Sequence, residues 1–109
     1  MTVKELAAAC GFDTPALPDG EREVIGAYIG DLLSWVMGRA SSDNAWITIM
    51  SNVNVIAVTT LSDVSCVILA EGVTPDDELI KTAVAKGVNL LVSSMPIYET
   101  AKAIAALPL

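Results

Sequence analysis

The runs WITIM (residues 46–50), CVILA (66–70) and VNLLV (88–92) decide the fold of this chain. Apolar runs of this length, interrupted by Asn89 in the third, indicate strands that are covered on both faces. The runs recur about every 20 residues, which leaves room for a crossover helix between parallel strands. Each run is followed by small polar residues and then by a segment compatible with a helix. The pattern predicts an α/β fold with a mostly parallel central sheet flanked by helices.

The composition is strongly apolar for a chain of 109 residues, which is the length of a single domain spanning residues 1–109. Hydrophobic residues make up 53% of the sequence and charged residues only 17%. A small fold with this composition has too little polar surface to cover itself. We therefore expect a homodimer, because a subunit interface would remove the excess apolar surface from water.

The formal net charge is −7, and the few basic residues are scattered along the sequence. A nucleic-acid partner requires a concentrated positive face, so we expect no binding to DNA or RNA. No apolar run reaches the length of about 18 residues that indicates a membrane helix, and no basic-then-apolar signal segment opens the chain. We expect no membrane association and a cytoplasmic location. The basic residues are Lys4, Arg22, Arg39, Lys81, Lys86 and Lys102.

The first 40 residues carry several local signals for structure. Thr2 begins a capping box, which predicts a short helix at the start of the chain. Residues 12–21 contain two prolines and an Asp-Gly pair, which are typical of a loop with a turn. Val24–Ile29 is a plausible strand, and Asp31 is placed to cap a helix that ends near Arg39.

The second half of the chain contains one ambiguous segment and two clear helices. The β-branched content of Val53–Leu61 suits a strand, but its apolar residues also fall at helical spacing, and a parallel crossover requires a helix. We therefore expect a helix there. Thr74 is a good N-cap with Pro75 at the first helical position, and Gly87 ends that helix. The last helix starts near Pro96.

The sequence lacks the side chains that common catalytic and metal sites require. It contains no histidine and neither of the standard glycine-rich phosphate loops. We expect no metal, no cofactor and no catalytic residue, and hence no enzyme. Cys10 and Cys66 are expected to be small buried hydrophobes, with a redox switch between them as the alternative.

The segment Glu21–Leu33, EREVIGAYIGDLL, resembles the region for which DRTGG domains are named. Arg22 and Gly26 match the signature, and Glu21 takes the place of its leading acid. The later apolar runs and the helix with its Thr-Pro start occur in the same order as in that family. The resemblance covers nearly the whole chain, so we expect a stand-alone DRTGG domain.

The resemblance implies a regulatory role. DRTGG domains accompany phosphotransacetylases and CBS-domain pyrophosphatases, where they often mediate dimer contacts beside adenine-nucleotide-sensing modules. Single-domain members are similar to the N-terminal region of HPr serine kinase. This chain has no P-loop, so kinase activity is not expected.

The first functional hypothesis is a dimeric regulatory module that binds a small anionic ligand, such as an adenine nucleotide. In a parallel sheet, ligands bind beyond the carboxyl ends of the strands, where helix N-termini present free N–H groups. Helix capping and turn formation are the simpler explanation for the same polar side chains. The candidate ligand-binding residues are Ser51, Asn52, Asn54, Glu71, Gly72, Ser93 and Ser94.

The second hypothesis is a dimerisation or docking module without a ligand, which serves a metabolic enzyme or a signalling partner. Large apolar or amphipathic side chains near the ends of predicted elements are its candidate contacts. Ordinary packing in the core is the alternative for each of them. The candidate interface residues are Tyr28, Trp35, Met37, Met95, Ile97 and Tyr98.

Overall fold

The computed structural model describes all 109 residues, and its centre is one five-stranded sheet. The strands are β1 (Asp13–Ala16), β2 (Gly26–Ile29), β3 (Asn44–Thr48), β4 (Cys66–Leu69) and β5 (Leu90–Val92). Their order across the sheet is β1-β5-β4-β3-β2. The neighbours from β2 to β5 pair in parallel, and only β1 runs antiparallel to its neighbour β5.

Two helical layers cover the sheet. The helices are α1 (Val3–Cys10), α2 (Leu33–Arg39), α3 (Asn54–Ser62), α4 (Asp77–Lys86) and α5 (Ile97–Ala105). Helices α2, α3 and α4 pack on one face through a cluster of 13 buried residues, and α1 and α5 pack on the other through a cluster of 12. Trp46 belongs to the first cluster and Ile47 to the second, as the alternation of a strand requires. The predicted α/β class with a mostly parallel sheet is confirmed.

Most local predictions for helices agree with the structure. The Thr2 hydroxyl accepts a hydrogen bond from the backbone N–H of Glu5, and the Glu5 carboxylate accepts one from the N–H of Thr2. Gly11 ends α1 in the left-handed region at a φ of 71°. The ambiguous segment Val53–Leu61 forms α3, so the choice of a helix is confirmed. None of the five helices has the length and apolar character that a membrane crossing needs.

Three predictions about loops and helix caps differ from the structure. Residues 12–21 contain β1, and Pro15 is accommodated because β1 lies at the edge of the sheet. Helix α4 is capped by Asp76, whose carboxylate accepts from the N–H of Leu79, so Thr74 is not the N-cap. Asp31 does not cap α2, because no side chain bonds to the N-terminus of that helix.

Candidate functional site

The seven candidate ligand-binding residues lie in segments that follow neighbouring parallel strands. Ser51, Asn52 and Asn54 come after β3, Glu71 and Gly72 after β4, and Ser93 and Ser94 lie at the end of β5. Hydrogen bonds join the segments after β4 and β5. The N–H of Glu71 donates to the carbonyl of Met95 at 2.8 Å, and the N–H of Gly72 donates to the carbonyl of Ser93 at 3.0 Å. The segment after β3 makes no hydrogen bond with them.

Glu71 bonds to a helix terminus within the chain. Its carboxylate oxygen Oε2 accepts from the N–H of Ile97 at 2.7 Å, at the first residue of α5. A negative charge at this position complements the helix dipole. Glu71 itself has a φ of 63°, in the left-handed region. The N-terminus of α5 therefore already holds a carboxylate, in the place where an anionic ligand would bind.

Several other candidates also bond within the chain. The Ser93 side chain is buried, and its hydroxyl lies 2.8 Å from that of Thr100. The Asn52 carbonyl oxygen Oδ1 accepts from the backbone N–H of Asn54 at 3.0 Å. These contacts are the capping and turn roles that the sequence offered as the simpler explanation. Ser94 and Asn54 are exposed and their side chains make no hydrogen bond within the chain.

The segments at the carboxyl ends of the strands carry acidic side chains and no basic ones. Residues 49–54, 70–76 and 93–96 include Glu71 and Asp76 but no lysine or arginine. The Asp31 carboxylate lies at the end of β3, where Oδ1 accepts from the Thr48 hydroxyl at 2.7 Å and from the N–H of Ile49 at 3.0 Å. An anion bound at the carboxyl ends of the strands would therefore find N–H and hydroxyl groups in these segments but no cationic side chain.

The amino ends of the strands hold a charged cluster that sequence reasoning missed. The guanidinium of Arg22 lies 3.1 Å from Oδ1 of Asp43 and 2.9 Å from Oδ1 of Asp63. Hydrogen bonds from the Ser42 hydroxyl and from Arg22 lower the pKa of Asp63. The two aspartates precede β3 and β4, so Arg22 ties the starts of these strands together. Arg22, which the resemblance to the DRTGG signature singled out, therefore makes its polar contacts within the chain.

The two cysteines pack as hydrophobes on the α1 and α5 side of the sheet. Cys66 is completely buried, and burial raises the pKa of its thiol to about 12. Cys10 is half-buried against the same cluster, and desolvation raises its pKa as well. Both thiols are free. Their surroundings agree with the interpretation as small buried hydrophobes.

The six candidate interface residues do not form one surface. Trp35 and Met37 are exposed on α2, and Arg39 stacks over the Trp35 ring at 3.6 Å. Tyr98 is exposed on α5, on the other side of the sheet. The remaining three are half-buried: Tyr28, Met95 and Ile97.

An apolar groove beside strand β2 is the second feature that sequence reasoning missed. Its volume is about 470 Å³ and every residue that lines it is hydrophobic. It lies where α5 meets the outer edge of the sheet. The sequence predicted a strand here but did not show that this strand has a free edge. The lining residues are Ala27, Tyr28, Ile29, Ile47, Ala101, Ile104, Ala105 and Leu109.

The five-stranded α/β fold of this chain resembles a solved structure that includes a DRTGG domain. This chain is similar to the crystal structure of the CBS and DRTGG domains of the regulatory region of Clostridium perfringens pyrophosphatase, complexed with the activator diadenosine tetraphosphate. The TM-score is 0.70 at 15% sequence identity, and the match covers 94% of this chain. This chain spans 45% of the length of that structure. No family model and no curated protein matches the sequence.

Proposed function

We propose that this chain is a non-catalytic regulatory module that acts by associating with a second copy of itself. The observation that carries the proposal is the uncovered apolar groove beside β2 on a chain with a small share of charged residues. The similar structure supports a regulatory role, because it belongs to the regulatory region of an enzyme and not to its catalytic part. The dimer would then act on a metabolic enzyme or a signalling partner in the cytoplasm.

Sedimentation equilibrium of the purified chain tests the proposal. We expect a mass of twice 11.4 kDa at micromolar concentration, with dissociation on dilution. A mass of 11.4 kDa at every accessible concentration would overturn the proposed self-association.

A second candidate function is the sensing of an adenine nucleotide at the carboxyl ends of the strands. The observation in its favour is that the similar regulatory region was crystallised with diadenosine tetraphosphate. The first N–H groups of α3 already bond within the chain, to Asn52 and Val53, so a phosphate at this helix would have to displace those contacts. We rank this function second because the carboxyl ends of the strands are acidic and because the carboxylate of Glu71 already occupies the N-terminus of α5.

Thermal unfolding with a panel of adenine nucleotides tests the second candidate. A ligand at 100 times its dissociation constant adds about 2.7 kcal/mol to the free energy of unfolding. We expect a higher melting temperature with AMP, ATP or diadenosine tetraphosphate if the edge is a nucleotide site. An unchanged melting temperature at millimolar nucleotide would remove this candidate.

A further inference from the structure

We infer that two copies of this chain associate through their β2 strands, which pair antiparallel at the free edge of the sheet. This inference rests on the proposed self-association and names its surface. The surface, called here the β2 edge, consists of residues 26–29 and the apolar groove beside them. Its occupant is the β2 edge of the second copy, so that the two sheets form one continuous sheet across a two-fold axis.

The first support is the unequal covering of the sheet. Three helices pack on one face and only α1 and α5 on the other. Ala27 lies level with Ala45, and Ile29 with Ile47, whose side chains are buried beneath this thinner layer. Ala27 itself is exposed, and Ile29 keeps 48% of its surface exposed. The side chains of Ala27 and Ile29 on β2 are therefore not covered by a helix as Ala45 and Ile47 on β3 are.

The second support is the contrast between the two sheet edges. Strand β1, at one edge, contains Asp13 and Pro15, and both residue types discourage pairing with another strand. Strand β2, at the other edge, has the sequence Gly-Ala-Tyr-Ile, with no charge and no proline. Natural proteins protect exposed strand edges by such devices, and an edge without them is suited to pairing.

The backbone of β2 is oriented for this pairing. The N–H of Gly30 donates to the carbonyl of Ile47 at 3.2 Å, on the side of β3. Since backbone groups alternate along a strand, Ala27 and Ile29 direct their N–H and C=O groups away from β3. These four groups per chain are the ones that an added strand would bind.

A second copy fits this edge for reasons of symmetry and charge. Antiparallel pairing centred on Tyr28 places Ala27 of one copy opposite Ile29 of the other, so a small side chain meets a large one on the groove side. The contact is the same in both copies, as a two-fold axis requires. No residue that lines the groove is charged, although the chain carries a net charge of −7. Two copies can therefore meet here without opposing like charges.

Two substitutions test the β2 edge by sedimentation equilibrium. Ile29→Lys places a positive charge opposite Ala27 of the second copy, within the apolar contact, and we expect the dissociation constant of the dimer to rise about 100-fold or more. Ala27→Pro removes an outward N–H without touching the bonds between β2 and β3, and it should also weaken the dimer. Leu61→Lys is the matched control, because Leu61 is 73% exposed on α3, away from this edge, and the dimer should persist.

The outcomes separate the two proposals. A wild-type chain that stays monomeric overturns both the self-association and its surface. A wild-type dimer that persists in both folded β2 variants overturns the β2 edge alone and leaves the proposed function standing. Dissociation by Leu61→Lys but not by the β2 variants would place the contact on α3 instead. Circular dichroism verifies folding, and Ala27→Pro keeps the test valid if Ile29→Lys unfolds the chain.

Discussion

Asn89 is the one polar residue inside the apolar run at 88–92, and its side chain makes three hydrogen bonds. Oδ1 accepts from the N–H of Asp19 at 2.9 Å, while Nδ2 donates to the carbonyl of Asp19 at 2.8 Å and to that of Ser65 at 3.0 Å. The residue is only 2% exposed. It therefore fastens the loop before β2 to the ends of two buried strands.

Replacement Asn89→Ala removes all three bonds and leaves their backbone partners unpaired. The bond to Ser65 is buried, so its carbonyl stays without that partner. The two bonds to Asp19 are part-buried, so in the variant water can bond to the Asp19 backbone in part. At about 1 kcal/mol for each bond, we expect a loss of about 3 kcal/mol in the free energy of unfolding. For a domain of this size, that corresponds to a fall of about 12 °C or more in melting temperature.

Urea denaturation followed by circular dichroism measures this loss directly. Asn54→Ala is the matched control, because the Asn54 side chain is exposed and makes no hydrogen bond within the chain. The control should lie within about 0.5 kcal/mol of the wild type. A loss of less than about 1 kcal/mol for Asn89→Ala would refute the assigned role of its three bonds.

Three further predictions concern other polar side chains. Asp31→Ala should destabilise the fold by about 2 kcal/mol in urea denaturation, since it removes two hydrogen bonds at the end of β3; an unchanged midpoint would contradict this. Hydrogen bonds from Ser42 and Arg22 lower the pKa of Asp63 below its ordinary value of 3.8. The ionised carboxylate therefore stabilises the fold at a pH above 3.8, and this stabilisation is lost as the pH falls through the lowered pKa. Asp63→Asn should therefore show a smaller fall in melting temperature than the wild type on acidification, and Asn tolerates the left-handed backbone at this position. The Cys66 thiol should not react with a disulfide reagent in the native state, because burial raises its pKa to about 12, and rapid labelling without unfolding would disprove its burial.

The central part of the fold was predictable because its signals are local. A continuous apolar run shows a strand covered on both faces, and the three runs became β3, β4 and β5. The capping box at Thr2 needs only four consecutive residues. By contrast, β1 is held by pairing with β5, whose residues are far away in sequence. Pro15 argued against a strand, and only its position at the sheet edge makes it acceptable.

The candidate site was less predictable because its contacts join distant residues. The positions of Glu71 and Ser93 after strands followed from the pattern, but the bond from Ile97 to Glu71 spans 26 residues. The bond between Arg22 and Asp63 spans 41 residues. The groove beside β2 depends on which strand lies at the edge, and strand order is not a local property of sequence.

Hydrogen exchange at the β2 backbone tests the proposed association most directly. At concentrations where the chain sediments as a dimer, the amides of Ala27 and Ile29 should be as slow to exchange as the amide of Gly30, which already bonds to β3. On dilution to the monomer, the first two should become fast while Gly30 stays protected. Fast exchange at Ala27 and Ile29 in the dimer would show that the copies meet elsewhere.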